Sequence, residues 1–190
     1  MRTRSLLLKS VILIVAVTPL FLGEVVRTYA WTVVLGNSGF VNATLRQLGL
    51  IERPIQLMFT ELGVIIALVH VTLPVMVIML AAALAHIDRD YERAAQSLGA
   101  GPVRAFLTVT LPLTLPGIIG GFLLAFAIAI SAYATPAILG GPGTQVMATL
   151  IRSFMVQALD WALGSAMGAI LLISSIALLL LTSALGGRRA

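Results

Sequence analysis

Apolar and polar stretches alternate along the chain with a spacing that suits a membrane. Four segments are apolar for about 20 residues, the length a helix needs to cross a bilayer. They are residues 5–23, interrupted only by Lys9, then residues 62–85, 117–139 and 162–185. Each predicts a spanning helix. The polar stretches between them, residues 24–61, 86–116 and 140–161, predict loops or short surface helices. Met1-Arg2-Thr3-Arg4 before an apolar run is also the start of a secretory signal. No small-x-small cleavage site follows Phe21, and the run is long for a signal core, so a first span is expected.

Composition supports the pattern. Of the 190 residues 59% are hydrophobic and only 10% charged, and the mean hydropathy is +1.08. Soluble domains carry about 25% charged residues. The expected fold is therefore all-α, an integral membrane helical bundle with four spans, in one unit over residues 1–185 and a short tail at 186–190. A soluble enzyme, a disordered regulator and a disulfide-stapled module are all disfavoured. The chain has no cysteine, which removes thiolate metal sites and thiol redox chemistry.

The net charge is +5, from 12 Lys and Arg against 7 Asp and Glu. The basic residues form no dense run, so nucleic acid is not an expected partner. They report topology instead, because Lys and Arg collect on cytoplasmic loops. With the N-terminus inside, Arg2, Arg4, Lys9, Arg89, Arg93, Arg104, Arg188 and Arg189 face the cytoplasm, and Arg27, Arg46, Arg53 and Arg152 face out. Both termini are expected in the cytoplasm.

The predicted spans hold almost no ionisable groups. Glu24, Glu61 and Asp160 sit at span edges, and His70 lies inside. Ion-coupled carriers need intramembrane carboxylates or broken helices, so the driving force is expected to come from elsewhere. No His-Glu-x-x-His and no candidate triad is present, so neither a metal site nor a catalytic centre is expected. Gly117 with Gly121 and Gly164 with Gly168 have the four-residue spacing of close helix packing, most simply within one bundle. Pro74 predicts a kink in the second span.

Residues 86–116 are patterned beyond a simple tether. Tyr91, Ala94, Ala95 and Leu98 fall on one face of a helix, away from Arg89, Glu92, Arg93 and Gln96. Asp88 suits the N-cap, and Asp90 and Glu92 suit the first turn. Gly99 and Gly101 supply the stop, and Pro102 opens a second helix that runs through Leu111-Pro112 and Leu115-Pro116 into the third span. A helix with two alanines and one large aliphatic residue is poorly suited to lipid. It suits close docking against a protein groove.

These residues carry a family resemblance. Ala94-Ala95-x-x-x-Gly99, nine residues, Val109-x-Leu111-Pro112 resembles the cytoplasmic loop signature of permease subunits of binding-protein-dependent ABC importers. That signature reads Glu-Ala-Ala, three residues, Gly, nine residues, Ile-x-Leu-Pro. Here Arg93 takes the glutamate position, with Glu92 one residue earlier, and Val109 replaces isoleucine. The resemblance covers nearly the whole chain. Arg27-Thr28-Tyr29-Ala30-Trp31, Leu35-Gly36, Gly39-Phe40-Val41-Asn42, Gly49-Leu50-Ile51 and Leu139-Gly140-Gly141-Pro142 are similar to outward loops of the spermidine/putrescine-type permeases. Such permeases have about six spans, so the chain reads as shortened at its N-terminus.

The resemblance implies a multi-pass protein of the bacterial cytoplasmic (inner) membrane. Its implied partners are an ABC ATPase subunit, a second permease subunit, an extracytoplasmic solute-binding protein and the lipid bilayer. The implied cargo is a polyamine. Residues 86–116 become an ATPase-coupling loop, with Tyr91, Ala94, Ala95 and Leu98 packing on the ATPase and Asp90, Glu92 and Arg93 at the rim. Gly99 and Gly101 make the turn, and Val109, Leu111 and Pro112 brace the second helix. The chain has no Gly-x-x-x-x-Gly-Lys-Ser/Thr phosphate loop, so it is expected to hold no cofactor, with ATP and magnesium on the separate ATPase. Tyr29, Trp31, Tyr133 and Asp160 are the candidates for a cation's path, with interface anchoring as the competing role. From the residues alone, two other classes stay open: a carrier or channel without an ATPase, and a membrane scaffold that transports nothing.

Overall fold

The computed structural model describes residue 14 and residues 17–187. Most of the first predicted span lies outside the described residues, as do the terminal basic residues Arg2, Arg4, Lys9, Arg188 and Arg189. Within that span, Thr18–Phe21 forms one 3-10 turn. All regular structure among the described residues is helical: α1 (Glu24–Leu35), α2 (Phe40–Gln47), α3 (Glu61–Ala85), α4 (Arg89–Ser97), α5 (Pro102–Ser131), α6 (Ala134–Leu139), α7 (Met147–Arg152) and α8 (Trp161–Gly187). Among the described residues three stretches are long and apolar enough to cross a membrane: Glu61–Ala85, Pro102–Ser131 and Trp161–Thr182.

The second and fourth predicted spans match α3 and α8 to within two residues. The third differs. The apolar run reaches Leu139, but the helix stops at Ser131, where Ala132 turns extended (φ −66°, ψ 123°). Pro136 explains this, since its nitrogen cannot donate to the Ala132 carbonyl and its ring would clash there. The chain restarts as α6. At its other end α5 begins fifteen residues earlier than residue 117, at Pro102, and is widened by a π turn at Phe106–Thr110. In that turn the Leu111 N–H reaches back to the Phe106 carbonyl. Pro112 has no N–H to offer the carbonyls of this turn, so the looser turn houses its ring.

The helices α3 and α5 form an antiparallel pair along much of their length. Small residues set their separation. Gly117 lies directly on Ala83, and Gly121 lies on Met76 and Met79, so the first predicted glycine pair is a packing seam. The second is split: Gly164 meets Met155, while Gly168 faces open space. Pro74 is buried inside α3, and its missing N–H leaves the His70 carbonyl without the usual partner.

At the end of the bundle where α3 begins and α5 ends, α1 and α2 form a cap. Buried Asn42 fastens it. Its carboxamide donates to the carbonyls of Gly36 (3.1 Å) and Ile55 (3.0 Å) and accepts from the Ile55 N–H (2.8 Å). Asn42→Ala removes all three bonds at a site only 1% exposed. The expected loss is about 3 kcal/mol, read as a lower thermal unfolding midpoint in detergent; an unchanged midpoint contradicts the clamp. The hydroxyls of Thr28 on α1 and Thr135 on α6 pair at 3.3 Å, also buried. Beneath them Val64, Ala67 and Leu139 form a small core with Trp31, Met58 and Leu68.

Candidate partner-docking site

The helix α4 is built by local chemistry at both ends. Asp88 is the N-cap, and its carboxylate accepts from the Asp90 N–H at 3.1 Å. Asp90 and Glu92 occupy the first turn, where negative charge suits the helix dipole. Asp90 also pairs with Arg93 at 3.0 Å. Both side chains are about three-quarters exposed, so this pair adds only about 0.3 kcal/mol. At the far end the Ala100 N–H bonds the Ala95 carbonyl (3.1 Å) and the Gly99 N–H bonds that of Gln96 (3.0 Å). This double closure needs a left-handed residue, and Gly99 supplies it with φ +88°. Gly101 then caps α5, and Pro102 occupies its first turn.

One side of α4 rests on the π turn of α5. There Glu92 accepts a hydrogen bond from the hydroxyl of Thr110, a fully buried residue. Glu92 lies away from Tyr91, Ala94 and Leu98, as the helical spacing predicts, and on that side its carboxylate turns into the protein. The π turn is the reason. Buried Ala105, Thr110 and Thr114 share one face only because the wide turn adds a residue between the first two. A regular helix would present Val109 in place of Thr110.

Thr110→Val is expected to loosen α4 by about 1–2 kcal/mol. Amide exchange across Arg89–Ser97 should then quicken about tenfold, with Thr110→Ser near the wild type. Equal exchange in Thr110→Val and wild type would contradict the latch.

The other side of α4 has no cover from the described residues. Leu98 is 90% exposed and Tyr91 59% exposed, and Ala94 is also exposed. Ala95 is half-buried. Tyr91 borders a cleft of about 480 Å³ between α3 and α5, lined by Met79, Ala83, His86 and Leu113. Tyr91, Ala94 and Leu98 thus form a shallow open strip, held rigid by caps at both ends and by Glu92 beneath. Val109 is half-buried in the π turn, and Leu111 and Pro112 lie on its more exposed side.

The four residues singled out for a solute path have separate surroundings. Tyr29 is 61% exposed on α1. Trp31 packs edge-on against His70, ring centres 5.2 Å apart. Asp160 caps α8 by accepting from the Leu163 N–H at 2.9 Å. Tyr133 lies under the Arg152 guanidinium, 5.0 Å from ring centre to cation. Thr110, Asn42 and Arg152 were not singled out for these contacts. Asn42 is named in one quoted motif and Thr110 is the unspecified position of another, and no periodicity marks a side chain that bonds across a turn.

A family model described as binding-protein-dependent transport system inner membrane component matches residues 1–189. The spermidine/putrescine transport system permease protein PotB of Escherichia coli (strain K12) is 32% identical over 158 residues, 83% of this chain and 58% of PotB. PotB of Haemophilus influenzae is 35% identical over 158 residues, 83% of this chain and 55% of the relative. The molybdenum transport system permease protein ModB of Escherichia coli (strain K12) is 42% identical over 109 residues, 57% of this chain and 46% of ModB. The chain thus spans little more than half the length of these PotB relatives. In fold it is similar to a bacterial ABC transporter involved in the import of the acidic polysaccharide alginate, with a TM-score of 0.83 at 19% identity, over 98% of this chain and 68% of that one. With the helical bundle, the apolar spans and the capped surface helix between α3 and α5, the family match over nearly every residue leads to one conclusion: the chain belongs to the binding-protein-dependent transport system inner membrane components.

Proposed function

We propose that the chain acts as the permease subunit of an ATP-driven importer, with a polyamine such as spermidine or putrescine as its cargo. The observation that carries this is α4, a short helix locked at both ends whose outer strip lies bare between two membrane-crossing helices. On this reading Tyr91, Ala94 and Leu98 pack into a groove of a separate ATPase subunit. Asp90 and Arg93 lie at the rim, Ala95 and Glu92 hold α4 to the bundle, and Gly99 and Gly101 keep the turn tight. Closure of the ATPase on ATP then tilts α4 and, through Glu92 and Thr110, pulls on α5. A second permease subunit would complete the path, and an extracytoplasmic solute-binding protein would deliver the cargo. The polyamine rests on the PotB relatives, with Tyr29, Trp31 and Asp160 as candidate contacts; Tyr133, its ring already covered by the Arg152 cation, is set apart from them.

The orientation places α4 and both termini in the cytoplasm, following the Lys and Arg distribution. Cysteines introduced singly at 97 and 145 test it. A membrane-impermeant thiol reagent applied from outside should label 145 and spare 97; the reverse overturns the orientation. Uptake of spermidine into proteoliposomes, with and without ATP and the ATPase partner, tests the function. Uptake should need both. Uptake without ATP would mark an ATPase-independent carrier, and a partner that binds without any uptake would mark a scaffold.

A further inference from the structure

At the end of the bundle opposite α4, a cavity of about 250 Å³ lies between α6 and α7. We infer that this cavity binds a small oxyanion, with Arg152 supplying the charge. Its lining includes Tyr133, Thr144, Gln145, Arg152 and Gln157, and among the described residues no carboxylate lines it. The Tyr133 ring covers one face of the guanidinium at 5.0 Å and leaves the in-plane N–H groups to point elsewhere. Among the described residues, the side chains of Thr144, Gln145, Arg152 and Gln157 make no hydrogen bond to the protein. The nearby acid in sequence, Asp160, is committed to capping α8.

The cavity therefore gathers an exposed cation stacked on a ring, one half-buried hydroxyl and two exposed carboxamides, all able to donate and none hydrogen-bonded to the described residues. Sulfate, phosphate or molybdate offers acceptors in several directions and matches the guanidinium fork. The volume admits such an ion with part of its hydration shell, since a water occupies about 30 Å³. A polyamine would meet the Arg152 charge with no carboxylate to offset it, so this cavity is not a resting place for a cation. The same phosphate chemistry is present in a lipid headgroup and in a free solute.

The test is calorimetric titration of sodium sulfate into the full chain in neutral detergent, at constant ionic strength. Binding is expected, and Arg152→Gln should weaken it by about tenfold or more. Arg46→Gln, which removes an exposed cation on α2, should leave it unchanged. Thermal unfolding of each variant checks that the fold is intact. No heat with sulfate, or equal affinity in Arg152→Gln and wild type, overturns the assignment. Repeating the titration in nanodiscs identifies the source: competition by phosphatidylglycerol marks a headgroup, and its absence marks a solute. The inference goes beyond the importer reading. The titration needs no ATPase, so its failure leaves that reading standing.

Discussion

Ala94→Trp is expected to abolish ATP-driven uptake while the purified chain unfolds at the wild-type temperature. Ala94 is exposed on α4 and has no cover from the described residues. An indole there meets solvent in the isolated protein, and surface changes of that kind move stability by less than about 0.5 kcal/mol. In a close helix-in-groove contact the same indole has nowhere to go. Overpacking of this size costs about 3 kcal/mol, which is more than a hundredfold in affinity. The measurement pairs co-purification of the ATPase with the unfolding midpoint of the permease alone. Full co-purification and normal uptake in Ala94→Trp would remove the outer strip from the coupling path. A lowered midpoint would mean that Ala94 is packed within its own chain.

Gly117→Leu is expected to do the opposite, disabling the fold rather than the docking. A β-carbon at 117 collides with the Ala83 side chain, and the Met79 carbonyl is 3.5 Å from the same point. The obstacle on the Ala83 side is a short, rigid side chain on a packed helix, so α3 and α5 must separate. The expected loss is about 3 kcal/mol or more, seen as a lower unfolding midpoint and aggregation in detergent. Gly168→Leu is the matched control. Its position has nothing within 4 Å, so the midpoint should hold. Equal midpoints for the two variants would contradict the seam. The contrast with Ala94→Trp separates small residues that keep helices together from small residues that keep a surface open.

What the sequence made legible was local. Asp88, Gly99, Gly101 and Pro102 were readable as caps because each acts on its own neighbours, and the structure uses each so. The edges of α3 and α8 followed from apolar length. The end of α5 did not, because hydropathy continues unbroken through Ser131 to Leu139. Pro136 was the available signal, and it was outweighed by the length of the run. The direction of Glu92 was hidden for a different reason. A helical wheel placed it away from Tyr91, Ala94 and Leu98, which is correct, but that side turned out to be the one resting on α5. Which side of a short helix faces the protein depends on the register of its neighbour, and a π turn before Pro112 set that register. Asn42 and Arg152 act across turns or between helices, where spacing along the chain carries no information. Between α4 and the helix that follows it, Thr110 matters most for the same reason.

The most direct measurement places a photoreactive amino acid at position 94 and illuminates membranes containing the assembled transporter. The account predicts a crosslink to the nucleotide-binding subunit whose yield changes when ATP is bound. Adducts with phospholipid alone, at any nucleotide state, would contradict it.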